Sequence, residues 1–224
     1  MRVVANVVGA DDREALDVLD FLIHNLHAYS VQRGGYADMF DALQLIVELD
    51  SLLISGGSMW RVDRTLDGGP GLARRVSPAH QAAFERAIDS NGYHADCLRK
   101  AWTSAYSRDP NPSASLAHTI KALESILAPV VLPSDKRATL GRIIGTLKNQ
   151  TTQYRYHLDT ESGSDGLRSI TTLLEGIWTS QTDRHGTSDA GSQKEIGLGV
   201  AETALHLALA MECLVRIGGL TKVR

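Results

Sequence analysis

From Leu116 to Leu214 the apolar residues of this chain recur at three- and four-residue spacings in four separate runs. The first aligns Leu116, Ile120, Leu123 and Leu127. The second aligns Leu140, Ile143, Ile144 and Leu147, and the third Leu167, Ile170, Leu173, Leu174 and Ile177. The fourth aligns Ile196, Val200, Ala204, Leu207, Met211 and Leu214. A period near 3.6 makes each run an amphipathic helix that must bury its stripe against a neighbour. The expected bounds are about 113–128, 134–148, 165–181 and 192–217. Pro129 and Pro133 bracket the end of the first helix, Ser134 caps the second, and Gly218-Gly219 stops the fourth. The polar residues 150–163 are expected as a loop.

Asp109-Pro110-Asn111-Pro112 cannot continue a helix. It is taken as the seam between an N-terminal region, 1–109, and a C-terminal region, 110–224. In the first region the spacing predicts a helix over 11–29, through Leu16, Leu19, Leu22, Ile23 and Leu26, with Asp11 or Asp12 as cap. Gly34-Gly35 breaks it. A second helix, about 36–53, carries Leu43, Ile46, Val47 and Leu49 and ends at Ser55-Gly56-Gly57-Ser58. Residues 59–64 and 72–76 alternate in polarity around Asp67-Gly68-Gly69-Pro70-Gly71, which predicts a β-hairpin near 59–76. Ser77-Pro78 opens a helix reaching Asp89, and 93–107 form another. The fold class is therefore mainly α, with N-terminal helices, a small β-hairpin and a C-terminal four-helix bundle.

The 224 residues, 43% of them hydrophobic, can bury a proper core. A net charge of -3 supplies no global field for nucleic acid, so such binding needs a local patch. Cys97 and Cys213 lie far apart and form neither a disulfide framework nor a metal knuckle, which suits a reducing cytoplasm. Val3-Val4-Ala5-Asn6-Val7-Val8 is too short for a signal or a span. The long apolar tract from Leu198 to Ile217 contains Glu202, His206, Glu212 and Arg216 and reads as a buried helix of a soluble protein. The expectation is a soluble cytoplasmic chain with no membrane segment.

Signature motifs of phosphate cradles, zinc proteases, redox cysteines and serine hydrolases are missing. Glu202 and His206 are four apart on a helix but lack a third ligand, so neither metal nor cofactor is expected. Arg61, Arg64, Arg74 and Arg75 fall on the hairpin, either as a solvated face beside Asp63 and Asp67 or as a small basic patch. Glu124 sits beside the first apolar stripe and needs a partner there, for which Arg184 is a candidate. Arg184-His185-Gly186 lies in a polar stretch between the third and fourth helices. Histidine transfers protons near neutral pH. Arginine grips phosphate oxygens in a bidentate fork. The N-terminus of the fourth helix favours an anion in the same neighbourhood. The same tripeptide also reads as an ordinary helix–helix turn.

Four stretches in order carry a resemblance: Ala117 to Ser125, Thr139 to Ile144, Ile170 to Ile177 leading into Arg184-His185-Gly186, and Val200 to Ala204. Over residues 110–217 the chain resembles the abortive-infection C-terminal family, within the superfamily of higher-eukaryote and prokaryote nucleotide-binding (HEPN) helical domains. The resemblance implies a HEPN-like four-helix bundle. It also implies an RNA-directed role in prokaryotic or phage-related defence, as a metal-independent endoribonuclease built as a homodimer, with an antitoxin or defence protein as further partner. His185 would be the general acid/base and Arg184 the phosphate clamp, with Asp183 and Glu124 orienting them. Gln181, Lys121 and Arg168 would contact substrate. The superfamily's Arg-(4 to 6 residues)-His spacing would place an arginine at Trp178, Thr179 or Ser180, none of which is basic. Arg184, adjacent to His185, stands in its place. Other members of the superfamily are inactive binding modules, and in that reading Arg184-His185-Gly186 is structural.

Overall fold

The computed structural model describes residues 13–33, 36–67, 69–159, 165–181 and 196–223. They form eight α-helices and four short strands and divide into two compact units. The first unit takes residues up to Ser77 together with Trp102–Pro110. The second takes Pro78–Ala101 and Asn111 onward.

In the first unit α1 (Arg13–Arg33) and α2 (Tyr36–Ser55) form a helical hairpin. Leu16 and Ile23 of α1 and Ile46 and Leu53 of α2 make its buried seam. The strands β1 (Trp60–Asp63) and β2 (Gly71–Arg74) pair antiparallel, with Val62 opposite Leu72. Both of those side chains join the core. Their backbone N–H groups donate to carboxylates of the two helices, Val62 to Asp50 Oδ1 at 2.8 Å and Leu72 to Asp20 Oδ1 at 2.5 Å. Each strand is thus tied to a different helix by a charge-assisted bond. Asp63, 1% exposed, accepts from Thr65 N at 2.8 Å, Thr65 Oγ1 at 2.5 Å and the Trp102 indole at 3.2 Å. Three donors around one buried carboxylate meet its need for partners.

The second unit begins with α3 (Pro78–Ala87) and α4 (Tyr93–Tyr106), whose last turn belongs to the first unit. The predicted seam turns out to be a helix start as well. Asn111 Oδ1 accepts from Ala114 N at 2.9 Å, and Pro112 fills the first position of α5 (Pro112–Val131). α5 runs past Pro129 to Val131, three residues beyond the expected end. It buries Leu116, Ile120, Leu123 and Leu127, as the spacing predicts. α6 (Leu140–Asn149) starts later than expected: its cap is Thr139, which accepts from Arg142 N at 3.4 Å, not Ser134. α7 spans Asp165–Thr179 and α8 spans Leu198–Arg216. α8 packs most extensively on α5, with alanines at 201, 204 and 208 allowing a close approach, and it also contacts α3. It is long and apolar enough to span a membrane by length and composition alone. Its buried residues include Ala201, Ala204, Leu205, Ala208, Leu209 and Met211, and Glu202, Glu212 and Arg216 interrupt its apolar run.

Within 150–163, expected as a loop, Tyr154–Tyr156 forms β3. It pairs antiparallel with β4 (Leu220–Lys222). Three residues are too few for periodicity to register. Gly218, at φ +73°, supplies the left-handed turn that ends α8, and the N–H of Gly219 returns to Leu214 O at 2.8 Å.

Candidate functional site

Arg184, His185, Gly186 and Asp183 lie outside the described residues. What the structure describes is the ground on either side of them. By connectivity the 182–195 segment leaves the end of α7 and enters the start of α8, and these two ends line one groove of about 360 Å³. Gly176, Ile177 and Ser180 form one wall, and Gly199, Val200, Thr203 and Ala204 the other. Leu173 and Val200, both expected in the core, are 52% and 44% exposed and face this groove. The cause lies in α8. It is apolar nearly all round, so its buried stripe can rotate onto Ala201, Leu205, Ala208 and Leu209 at little cost. The hydroxyls of Ser180 and Thr203 donate to the carbonyls of Gly176 and Gly199, each four residues back. The cap residue of α8 is Gly197, which has no side chain to satisfy the helix's first amides. Their partial positive charge favours an anion there.

Among the described candidates, Glu124 is drawn toward the same end of α7. Its Oε1 accepts from the backbone N–H of Leu140 at 2.8 Å, at the start of α6. The neighbouring Gly141 lies so close to Trp178, in the last turn of α7, that an added Cβ would sit 2.6 Å from the indole. Gln181 follows three residues later and is half-buried. Lys121, one turn before Glu124, is exposed. Its charge acts on Cys97 of α4, whose thiol shares a hydrogen bond with the Tyr93 hydroxyl. Burial pushes the Cys97 thiol up, against the opposing effects of Tyr93, Lys121 and Lys100, so at neutral pH it is a thiol and not a nucleophilic thiolate. The bond to Cys97 also raises the Tyr93 hydroxyl. Arg168 does not join this region. It lies one turn into α7, exposed, 3.7 Å from Asp165, with about 16 Å of helix between it and Thr179.

Two further groupings lie elsewhere. The hairpin register pairs Trp60 with Arg74 and Arg61 with Ala73, so Arg61 and Arg74 occupy opposite faces. Arg74 lies over the Tyr106 ring at 5.5 Å, and Arg75 donates to Trp60 O at 3.5 Å. The four arginines thus do not share one basic face. In the second unit, the rings of His80 on α3 and His206 on α8 are 4.3 Å apart. Burial, and secondarily the neighbouring His80, hold the His206 imidazole below its ordinary range. Glu202 stands one turn before it, and no group of three metal-ligating side chains forms among the described residues.

Comparisons with protein-family models, with curated proteins and with solved structures find no match to this chain.

Proposed function

We propose that this chain is an RNA-directed protein of prokaryotic or phage-related defence, acting in a reducing cytoplasm as a metal-independent endoribonuclease of HEPN type. The observation that carries this reading is the junction of α7 and α8. The segment bearing Arg184-His185 connects two helix ends that line one groove, and α8 opens there without a side-chain cap. An RNA phosphate would take the helix-end amides and the Arg184 guanidinium as its positive partners. His185 would take the proton from a ribose 2′-hydroxyl. Glu124 of α5 accepts from the first amide of α6, whose Gly141 packs against Trp178 beside this junction. Purified full chain and His185→Ala are compared on single-stranded RNA. The expected result is cleavage by the wild type alone, with identical circular dichroism and melting temperature. Equal cleavage by both proteins, or none by the wild type, would overturn the reading.

A second reading is favoured by one bond. Glu124 is engaged by the Leu140 amide, which is a structural task. In that case the protein is a non-catalytic interaction module with a protein partner, and Arg184-His185-Gly186 secures a turn. His185→Ala then lowers the melting temperature by several degrees without touching any RNA activity.

A further inference from the structure

We propose that Ser90 and His94 form a nucleophile–base pair that takes an acyl group from a small activated acyl donor, such as an ester with a good leaving group. The two stand at the turn from α3 into α4, and Ser90 Oγ lies 3.0 Å from His94 Nε2. That is a distance over which a histidine takes a hydroxyl proton. In the tautomer with its proton on Nδ1, the ring accepts from the Ser90 hydroxyl through Nε2.

Two features of the turn set the pair up. The imidazole folds back over Gly92. A Cβ added there would lie 2.7 Å from His94 Cε1, 2.8 Å from His94 Nδ1 and 3.7 Å from Ser90 Oγ, so the pair occupies the space that a side chain would take. The start of α4 is the second feature. Its first backbone bond runs from Ala95 N to Gly92 O at 2.9 Å, so the amides of Tyr93 and His94 come before the helical ladder. They give this end of a 14-residue helix a partial positive charge close to the pair. A developing oxyanion is stabilised by such a charge. Ser90 is exposed, so a donor in solvent reaches the hydroxyl, while His94 is half-buried.

Ser90 Oγ forms a bond to the acyl carbon as Nε2 takes the hydroxyl proton. The tetrahedral adduct then breaks its bond to the leaving group, which departs with the proton from the imidazolium. The products are an ester on Ser90 and the released leaving group, with the His94 ring neutral again. Water that gives its proton to Nε2 attacks the ester, and the acyl group leaves as a carboxylic acid while Ser90 regains its proton. A base with no third residue behind it works at the modest end of general-base catalysis, about 10²-fold. The pair belongs to the second unit, and its chemistry rests on neither reading of the segment between α7 and α8.

The full chain is treated with p-nitrophenyl acetate and, separately, with a fluorophosphonate, and the modified positions are followed in time by peptide mass mapping. Both reagents are expected on Ser90 before any other serine. Ser90→Ala removes that label and leaves the melting temperature unchanged, because the side chain is exposed. His94→Ala and Gly92→Ala are each expected to slow the labelling of Ser90 about tenfold or more. Gly92→Ala keeps both side chains and displaces only the ring, so it decides the matter if His94→Ala proves unstable. A Ser90 labelled no faster than the other serines overturns the proposal. So does a labelling rate that Gly92→Ala or a folded His94→Ala leaves unchanged, which would make the 3.0 Å contact a part of the turn alone.

Discussion

Glu124 on α5 accepts a 2.8 Å hydrogen bond from the backbone amide of Leu140, the first residue of α6. A side chain from one helix thereby completes the start of another, assisting the Thr139 cap. Glu124→Ala is expected to cost about 1–2 kcal/mol, the scale of a lost cap. For a chain of this size that is a fall of about 2–8 °C in melting temperature. Glu124→Gln keeps an acceptor and loses less than half as much. The glutamine variant therefore separates roles: RNA cleavage lost with stability kept marks a catalytic carboxylate, and both kept marks a structural one.

Two glycines of α6 make opposite predictions. Gly145 has open space where a Cβ would go, whereas at Gly141 the Trp178 indole occupies it. Gly145→Ala should stabilise by about 0.5–1 kcal/mol through helix propensity alone. Gly141→Ala meets the ring, and overpacking of about 1–3 kcal/mol cancels or outweighs that gain. Paired thermal melts read the difference, and an equal rise for both would show that Trp178 yields freely.

Asp63 holds three donors in a site 1% exposed. Asp63→Ala leaves the Trp102 indole and both Thr65 donors to find other partners, at about 2–4 kcal/mol. Urea denaturation should show a lowered midpoint, with Trp102 emission shifting as its indole is released.

The His206 imidazole has its folded pKa below the ordinary 6.5, first from burial and then from His80. Well above pH 6.5 it is neutral in folded and unfolded chains alike, and contributes no slope. As pH falls below 6.5 the unfolded chain takes up the proton first, so stability is lost until the folded-state value is reached. Melting temperature should decline over that window in wild type, and the decline should be shallower in His206→Gln. Glu202, one turn away, and His80 are the neighbours whose charge would modulate the slope.

Helix content and the hairpin were legible in the chain because both rest on local periodicity. Leu116, Ile120, Leu123 and Leu127 are buried as their spacing predicts, and the Trp60–Asp63 and Gly71–Arg74 strands flank the glycine-rich turn. The buried face of α8 was not legible. Its residues are apolar on most sides, and only packing against α5 selects the alanine stripe. Periodicity also cannot tell that residues 78–101 pack with the C-terminal helices, nor that Tyr154 will find Lys222. Such pairings depend on partners distant in sequence. At the candidate site, the weak point of Glu124 beside an apolar stripe was visible, but its partner was a backbone amide, which no side-chain pattern announces. Arg168 carried the right charge but sits at the far end of its helix.

The ladder between Tyr154–Tyr156 and Leu220–Lys222 has α7 and α8 threaded between its strands. The ladder closes the stretch 154–222 into a loop, and the packing of α8 on α5 ties that loop to the helices before it. A single peptide bond cut between α7 and α8 would therefore open the covalent chain without freeing either piece. The two fragments would remain one folded body, each supplying a strand and a helix that the other cannot replace.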